Sequence, residues 1–435
     1  MARKFVLDTS VIVHDPTAME QFQEHEVIVP YVVIYELDGL RNAPNGRGAA
    51  AREAIRRFEC MRAEYPTLRG VPVGNGGVLS VDVTGQGISD ISAVPKGLRD
   101  DLIIGCCREI IESGNTDVAL VSKDIGLRLK ASILGVHAED YLATKVSAER
   151  PAYTGLHPEE LTLPLPEGVS DPLKGTVPAP DFLLHNEFAY VKFEGYGSVG
   201  PLLFRRRGEK LVPVPTWPRK TIRGIKPLND GQRMALDVLR DPDVTCVALV
   251  GPPGSGKTLL ALAAGLEALG DGEVSSIMAI KPIVPVGGRD IGYLSGDKVA
   301  KLREWGKPFF DNLKVLDYLG KDHVDPDGMI AAGQFELEAI TFMRGRTLFG
   351  TWVILDEQQD VTSHEIKTAL SRIGEKTKCV LLADPSQIDN PYVDRESCGI
   401  VYAVDKLKNH PSFSVVPMMD SERSEFSRLV NERMA

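Results

Sequence analysis

Residues Gly251–Thr258 of this 435-residue chain read GPPGSGKT, the residue types and order that hold a chain of phosphates. Gly251, Pro252, Pro253, Gly254, Ser255 and Gly256 would let the backbone wrap phosphate oxygens and present N–H groups to them. Lys257 would bring a compact positive charge to the terminal phosphates, and Thr258 would offer its hydroxyl to Mg²⁺. The flanks agree: VTCVALV reads as a strand before the loop and LLALAAGLEAL as a helix after it. The partner signal is TWVILDEQQD, where Trp352 to Leu355 form an apolar strand that delivers Asp356 and Glu357 to its C-terminal end. Asp356 would hold Mg²⁺ and Glu357 would polarise the attacking water as general base. A further strand, KCVLLADPSQID, ends at Asp384, with Gln387 either sensing a γ-phosphate or closing an ordinary turn. Upstream, KPLNDGQRMALDVL puts Gln232 on the first turn of a helix, near where a nucleotide base could sit.

The first third of the chain offers a different chemistry. Asp8 ends the short strand of FVLDTS, Glu36 lies on a helix after the strand VIV, and Asp100 and Asp101 open the helix LRDDLIIGCC. Asp124 follows the apolar strand of DVALVSKDIGL. Carboxylates at the C-terminal ends of parallel strands converge on one sheet edge, where they repel one another. A divalent cation reverses that repulsion, and an all-oxygen, histidine-free set suits Mg²⁺ or Mn²⁺ better than Zn²⁺. Such ions activate water and stabilise the oxygens of a phosphodiester displacement. Each acid taken singly could equally cap a helix or face solvent.

These groups must be positioned by more than one domain, since a chain of this length predicts two to four. Proline marks the seam: residues 147–226 hold 11 of the 29 prolines, about twice their share. The expected division is a parallel-sheet α/β domain over 1–146, a proline-rich connector over 147–226, and a second α/β domain over 227–435. Charge follows it, at −4, +2 and −8, which sums to the chain's −10. Overall acidity excludes a protein that grips nucleic acid over its whole surface, so any grip is local. The connector reads as a small β-hairpin unit, EFAYVKFEGY then PLLFRRR. Its basic run holds Arg205, Arg206, Arg207, Lys210, Arg219, Lys220, Arg223 and Lys226, with Phe204 and Trp217 interleaved. That composition suits a single strand through phosphate contact and stacking, or else a solvated hairpin. Six cysteines without CxxC spacing read as small core residues of a reducing compartment. With no apolar run of about 18 residues and Asp8 interrupting the N-terminus, a cytoplasmic protein is expected.

Taken together, LNDGQ, GPPGSGKT, KPIVPVGGRDIGYLSGD, MRGRT, ILDEQQD and ADPSQID stand in the order found in PhoH-type ATPases, which residues 225–435 resemble. The resemblance implies a RecA-like P-loop core that hydrolyses ATP in a homo-oligomeric ring, commonly a hexamer. Arg423 in DSERSEFSRL looks like the arginine that one subunit lends to its neighbour's nucleotide, or is a surface residue. The loop 281–297, with Arg289 and Tyr293, would face nucleic acid or is a flexible turn. Residues 1–146 are similar to PIN-domain nucleases: Asp8, Glu36, the D-x-x-I of Asp100–Ile103 and Asp124 match that family's four acids. Asp101 could stand in for Asp100. Thr9, Ser10 and Ser122 look like the accompanying hydroxyls. The resemblance implies Mg²⁺- or Mn²⁺-dependent cleavage of single-stranded RNA.

The expected activity is therefore ATP-dependent RNA remodelling or unwinding coupled to metal-dependent endoribonuclease cleavage. The other reading is a nucleotide-switched RNA-binding or assembly ATPase, in which the first domain binds without cutting. About 210 residues hold one RecA-like core, so mechanical work would need a subunit interface in place of a second core.

Overall fold

A computed structural model describes residues 3–22, 25–43, 46–74, 76–82, 95, 98–114, 117–141, 153–197, 200–215, 221–282, 306–320, 323–343, 347–390 and 393–422. Two compact units emerge. The first comprises Met1–Lys145 with the segments Thr362–Glu365 and Asn390–Ser397, and the second holds the remainder.

The first unit is built on β1 (Lys4–Leu7), β2 (Glu26–Pro30), β3 (Val71–Val73), β4 (Gly77–Asp82), β5 (Val118–Val121) and β6 (Ala138–Glu139), in the order β3-β4-β2-β1-β5-β6. All pairs are parallel except β3 with β4. Strands such as VALV are buried along their whole length, as expected where helices cover both faces. The helices are α1 (Thr9–His14), α2 (Tyr31–Leu40), α3 (Gly46–Glu64), α4 (Arg99–Glu112) and α5 (Ile125–Ile133). Central strands β1 and β5 lie side by side in register from Lys4–Val118 to Leu7–Val121. Asp8 and Ser122 therefore emerge together at one sheet edge.

In the second unit, residues 161–213 form a five-stranded sheet ordered β7-β9-β10-β11-β8, larger than the hairpin expected from sequence. Its strands are β7 (Leu161–Pro164), β8 (Val177–Pro178), β9 (Phe188–Glu194), β10 (Leu202–Arg207) and β11 (Lys210–Pro213). The basic run is also placed differently from expectation. Phe204 is fully buried, and Arg205 is buried against Asp237 (3.0 Å) and Asp241. Arg207 pairs with Asp241 at 3.0 Å and Asp243 at 2.6 Å. Arg206 donates to the carbonyls of Asp181 (3.2 Å) and Leu183, and Arg223 to that of Leu266. Arg205 and Arg207 thereby pin the small sheet to the α6 region of its own unit, and the buried Arg205 needs such partners because an unpaired buried guanidinium is costly. Lys210 and Lys226 remain exposed, while Trp217, Arg219 and Lys220 lie outside the described residues.

The larger sheet of this unit has six strands, wholly parallel, ordered β14-β13-β15-β16-β12-β17. They are β12 (Cys246–Val250), β13 (Ser276–Lys281), β14 (Phe335–Ala339), β15 (Thr351–Leu355), β16 (Lys378–Ala383) and β17 (Phe413–Pro417). Helix α6 (Asp230–Leu239) precedes β12, and α7 (Lys257–Gly270) follows it. The six cysteines are all free. Among the described residues, no helix is long and apolar enough to cross a membrane.

Candidate functional site

The phosphate loop joins β12 to α7, as expected. Gly251 must be a glycine because a Cβ there would lie 2.0 Å from the Met418 carbonyl oxygen. Gly256, at φ +93°, is the N-cap of α7 and supplies no capping side chain that would compete with an anion there. Lys257 Nζ donates to the loop carbonyls of Gly251 (2.6 Å) and Pro252 (2.9 Å), folded over the hollow it would serve. Thr258 lies on the first turn of α7. Ser255 Oγ donates to the Pro252 carbonyl, which tightens the loop. Gln232 is buried and spans from Leu228 N, which donates to its Oε1, to the Ser255 carbonyl, which accepts from its Nε2. It braces the loop from behind. Residues 418–422 run along the loop, where Glu422 N donates to the Gly254 carbonyl at 3.0 Å. Arg423 follows directly and lies outside the described residues, as do Arg289 and Tyr293.

β15 is buried from end to end and places Asp356 and Glu357 beyond its C-terminus. Asp356 is buried, and that burial raises its carboxyl above the usual range; Lys281 opposes the rise and Glu357 adds to it. Glu357 takes a left-handed backbone, φ +53°, uncommon for a residue with a side chain. Its Oε2 accepts from Gln359 Nε2 at 2.8 Å, and Gln359 Oε1 accepts from Asp384 N at 3.0 Å. The acid pair is thereby tied to the turn after β16. That turn is closed by Gln387 N on the Asp384 carbonyl and by Ser386 on Asp384 Oδ1, and Gln387 itself is exposed. Gln359 drew no role from the sequence, and Lys281 was counted only as the start of the loop 281–297, whereas it is the last residue of β13. A lysine ending an apolar strand was the one visible signal for Lys281.

In the first unit, Asp8 is the N-cap of α1 and is buried. Its Oδ2 accepts from Ser10 Oγ (2.5 Å) and from Ser122 Oγ (2.7 Å), the latter 114 positions away in sequence. Ser122 Oγ also accepts from Asp124 N at 3.0 Å. Thr9 donates to Glu36 on α2. Burial raises the carboxyl of Asp8, with the serine hydroxyls pulling the other way. Burial also raises that of Glu36: Thr9 opposes, the charges of Asp8 and Asp100 add, and Arg99 opposes. Glu36 is therefore near enough to feel the charges of both Asp8 and Asp100. Asp100 and Asp101 lie on the first turn of α4, and Asp100 pairs with Lys130 at 2.8 Å. Asp124 Oδ1 caps α5 through Gly126 N and Leu127 N.

Among the described residues, no three His, Cys, Asp or Glu side chains are gathered closely enough to hold an ion. The donor chemistry still fits one at Asp8, because its buried carboxylate is held by neutral hydroxyls. Asp8, Glu36 and Asp100 would hold a divalent cation, and Asp124 has one carboxylate oxygen that is not used in capping α5. In the second unit, buried Asp356 and Thr258 would suit Mg²⁺, although the Lys281 ammonium already stands beside Asp356.

Comparison with known proteins agrees with this layout. Residues 224–434 match the family model described as PhoH-like protein, and residues 5–142 match the PIN domain. The chain is 34% identical to "Protein PhoH2" of Bacillus subtilis (strain 168), over 99% of each chain. It is 36% identical to "Protein PhoH2" of Mycolicibacterium smegmatis, covering 99% of this chain and 97% of that one. A solved domain of a functionally unknown protein from Methanocaldococcus jannaschii covers 34% of this chain and 99% of its own, at 19% identity and TM-score 0.25, too low to add to the assignment. The chain belongs to the PhoH2 family, an α/β protein in which a PIN domain precedes a PhoH-type P-loop NTPase domain.

Proposed function

We propose that the second unit hydrolyses ATP to remodel or unwind RNA and that the first cuts single-stranded RNA with a divalent metal. The observation that carries this reading is the pair of acid sites at the C-terminal ends of parallel strands, one of them on the sheet edge from which the phosphate loop also leaves. Lys257 swings from the loop carbonyls to the terminal phosphates when ATP enters. Glu357, gripped by Gln359, takes the proton from the attacking water. Asp356 and Thr258 hold Mg²⁺, whose charge offsets that of the phosphates. Through Gln359 the base is linked to the turn that carries Gln387, a route by which the γ-phosphate is reported to the rest of the unit. Arg423 would stabilise the transferred phosphoryl group from a neighbouring subunit of a ring.

In the first unit, Asp8, Glu36, Asp100 and Asp124 are the metal set, with Thr9, Ser10 and Ser122 orienting it. Mg²⁺ or Mn²⁺ there supplies an activated water and charge for the phosphodiester oxygens. One observation favours a second reading. The acids are not drawn to chelating distance and Asp124 is partly spent as a helix cap, as suits a unit that binds RNA without cutting it.

The test is to give the purified full chain ATP, a duplex RNA with a single-stranded tail, and Mg²⁺ or Mn²⁺, with EDTA as control. ATP hydrolysis, strand separation and metal-dependent cuts support the proposal. Hydrolysis without cuts under any metal or nucleotide selects the second reading, and no hydrolysis overturns both. A matched DNA oligonucleotide reports whether the 2′-hydroxyl is read.

A further inference from the structure

Two carboxylates side by side at a strand end repel each other, and Asp356 and Glu357 sit so at the end of β15. Lys281 ends β13, the neighbouring strand. Ile280 is in register with Leu355, and Asp356 N donates to the Ile280 carbonyl at 2.8 Å, so the strand ends emerge together. Lys281 Nζ lies 3.5 Å from Asp356 Oδ2 and 3.8 Å from Glu357 Oε1. Its side chain is 14% exposed and that of Asp356 13%, so the pair is largely shielded from water. Glu357 is thus held on both sides, by Gln359 on Oε2 and by Lys281 near Oε1. Both lysine distances exceed those of a close N–H···O bond. They describe an ion pair that keeps charge balance without a fixed bond, suited to an ammonium on a flexible stem.

We infer that Lys281 is a positioning residue of this site: it is the resident counter-cation of the acid pair, it yields Asp356 to the divalent ion that accompanies ATP, and it then steadies Glu357 as the base. The inference rests on the ATP-hydrolysing reading of the second unit. Lysine and a divalent ion compete for the same oxygen of Asp356. Removing the lysine therefore strengthens metal binding to the nucleotide-free protein while weakening the chemical step. A lysine that only supported the fold would not move these two in opposite directions.

The experiment compares wild type, Lys281→Met and Lys281→Arg as full chains. Mn²⁺ binding is titrated without nucleotide by the resonance signal of free Mn²⁺, and Asp356→Asn identifies the component due to this site. Lys281→Met is expected to tighten that component by about tenfold. In ATP hydrolysis its kcat falls by about tenfold or more while KM for ATP stays within about threefold, since a base loses its orientation and the loop keeps its hold. Lys281→Arg keeps the positive charge and restores most of kcat. Unchanged or weaker Mn²⁺ binding in Lys281→Met overturns the inference. So does a raised KM at unchanged kcat, which would put the lysine on the nucleotide instead. Binding of a fluorescent ADP verifies the fold, and Lys281→Gln replaces the methionine variant if that one fails it. If wild type proves unable to hydrolyse ATP, the catalytic reading falls while the Mn²⁺ titration still decides the counter-cation.

Discussion

The two acid sites keep buried carboxylates by opposite means. At Asp8 the partners are hydroxyls, Ser10 and Ser122, which satisfy the oxygen's geometry and leave its charge unbalanced. At Asp356 the partner is an ammonium, Lys281, which supplies balancing charge from within the fold. A neutral cradle demands an ion from outside, whereas a cationic one exchanges its own charge for that ion. The first arrangement suits a metal that stays through a reaction cycle, and the second a metal that arrives and leaves with each nucleotide.

Substitutions at each site should separate these two economies of charge. The largest effect is expected for Lys257→Ala, which removes the cation meant for the terminal phosphates. ATP turnover, followed by phosphate release, should fall by about 10²–10³-fold, with nucleotide-independent RNA cutting unchanged. Asp8→Asn comes next: metal-dependent RNA cleavage on a gel should drop by about 100-fold while ATP turnover stays at the wild-type rate. Ser122→Ala keeps all four acids and loses the hydroxyl that orients Asp8. The Mn²⁺ concentration giving half-maximal cleavage should rise by about tenfold, and saturating Mn²⁺ should recover much of the rate.

The smallest effect concerns stability without metal. Burial raises the carboxyls of Asp8 and Glu36 from their ordinary values of 3.8 and 4.5, so between those values and the raised ones the folded unit holds protons that the unfolded chain has already released. Their charged forms are penalised at neutral pH, and the penalty fades as pH falls through the raised values toward 3.8. In EDTA, Asp8→Asn should therefore be more stable than wild type at pH 7, with the gap closing toward pH 4. Denaturant unfolding at both pH values measures it. An Asp8→Asn variant less stable than wild type at pH 7 would mean that the hydroxyl cradle alone balances the charge.

Local signals were legible in the sequence and long-range ones were not. GPPGSGKT is contiguous, and its role follows from its own residues and flanks. The strands ending at Asp8 and Asp356 were equally readable, because an apolar run followed by an acid needs only neighbours in sequence. Ser122 could be named by resemblance, but its hydrogen bond to Asp8 depends on β1 and β5 lying side by side. Lys281 reaches Asp356 only through the pairing of β13 with β15. The connector shows the same limit in reverse. Arg205 looked like a phosphate contact beside an aromatic, but the partners that bury it, Asp237 and Asp241, lie on and just beyond α6. Composition could not reveal them.

The most direct test of the account is one RNA substrate with a single-stranded tail, given to wild type, Asp8→Asn and Lys257→Ala with Mn²⁺ and ATP, while cuts and released phosphate are counted together. Two sites with separate chemistries predict that Asp8→Asn loses cuts and keeps phosphate release, and that Lys257→Ala loses phosphate release. Undiminished cutting by Asp8→Asn, or undiminished phosphate release by Lys257→Ala, would contradict it.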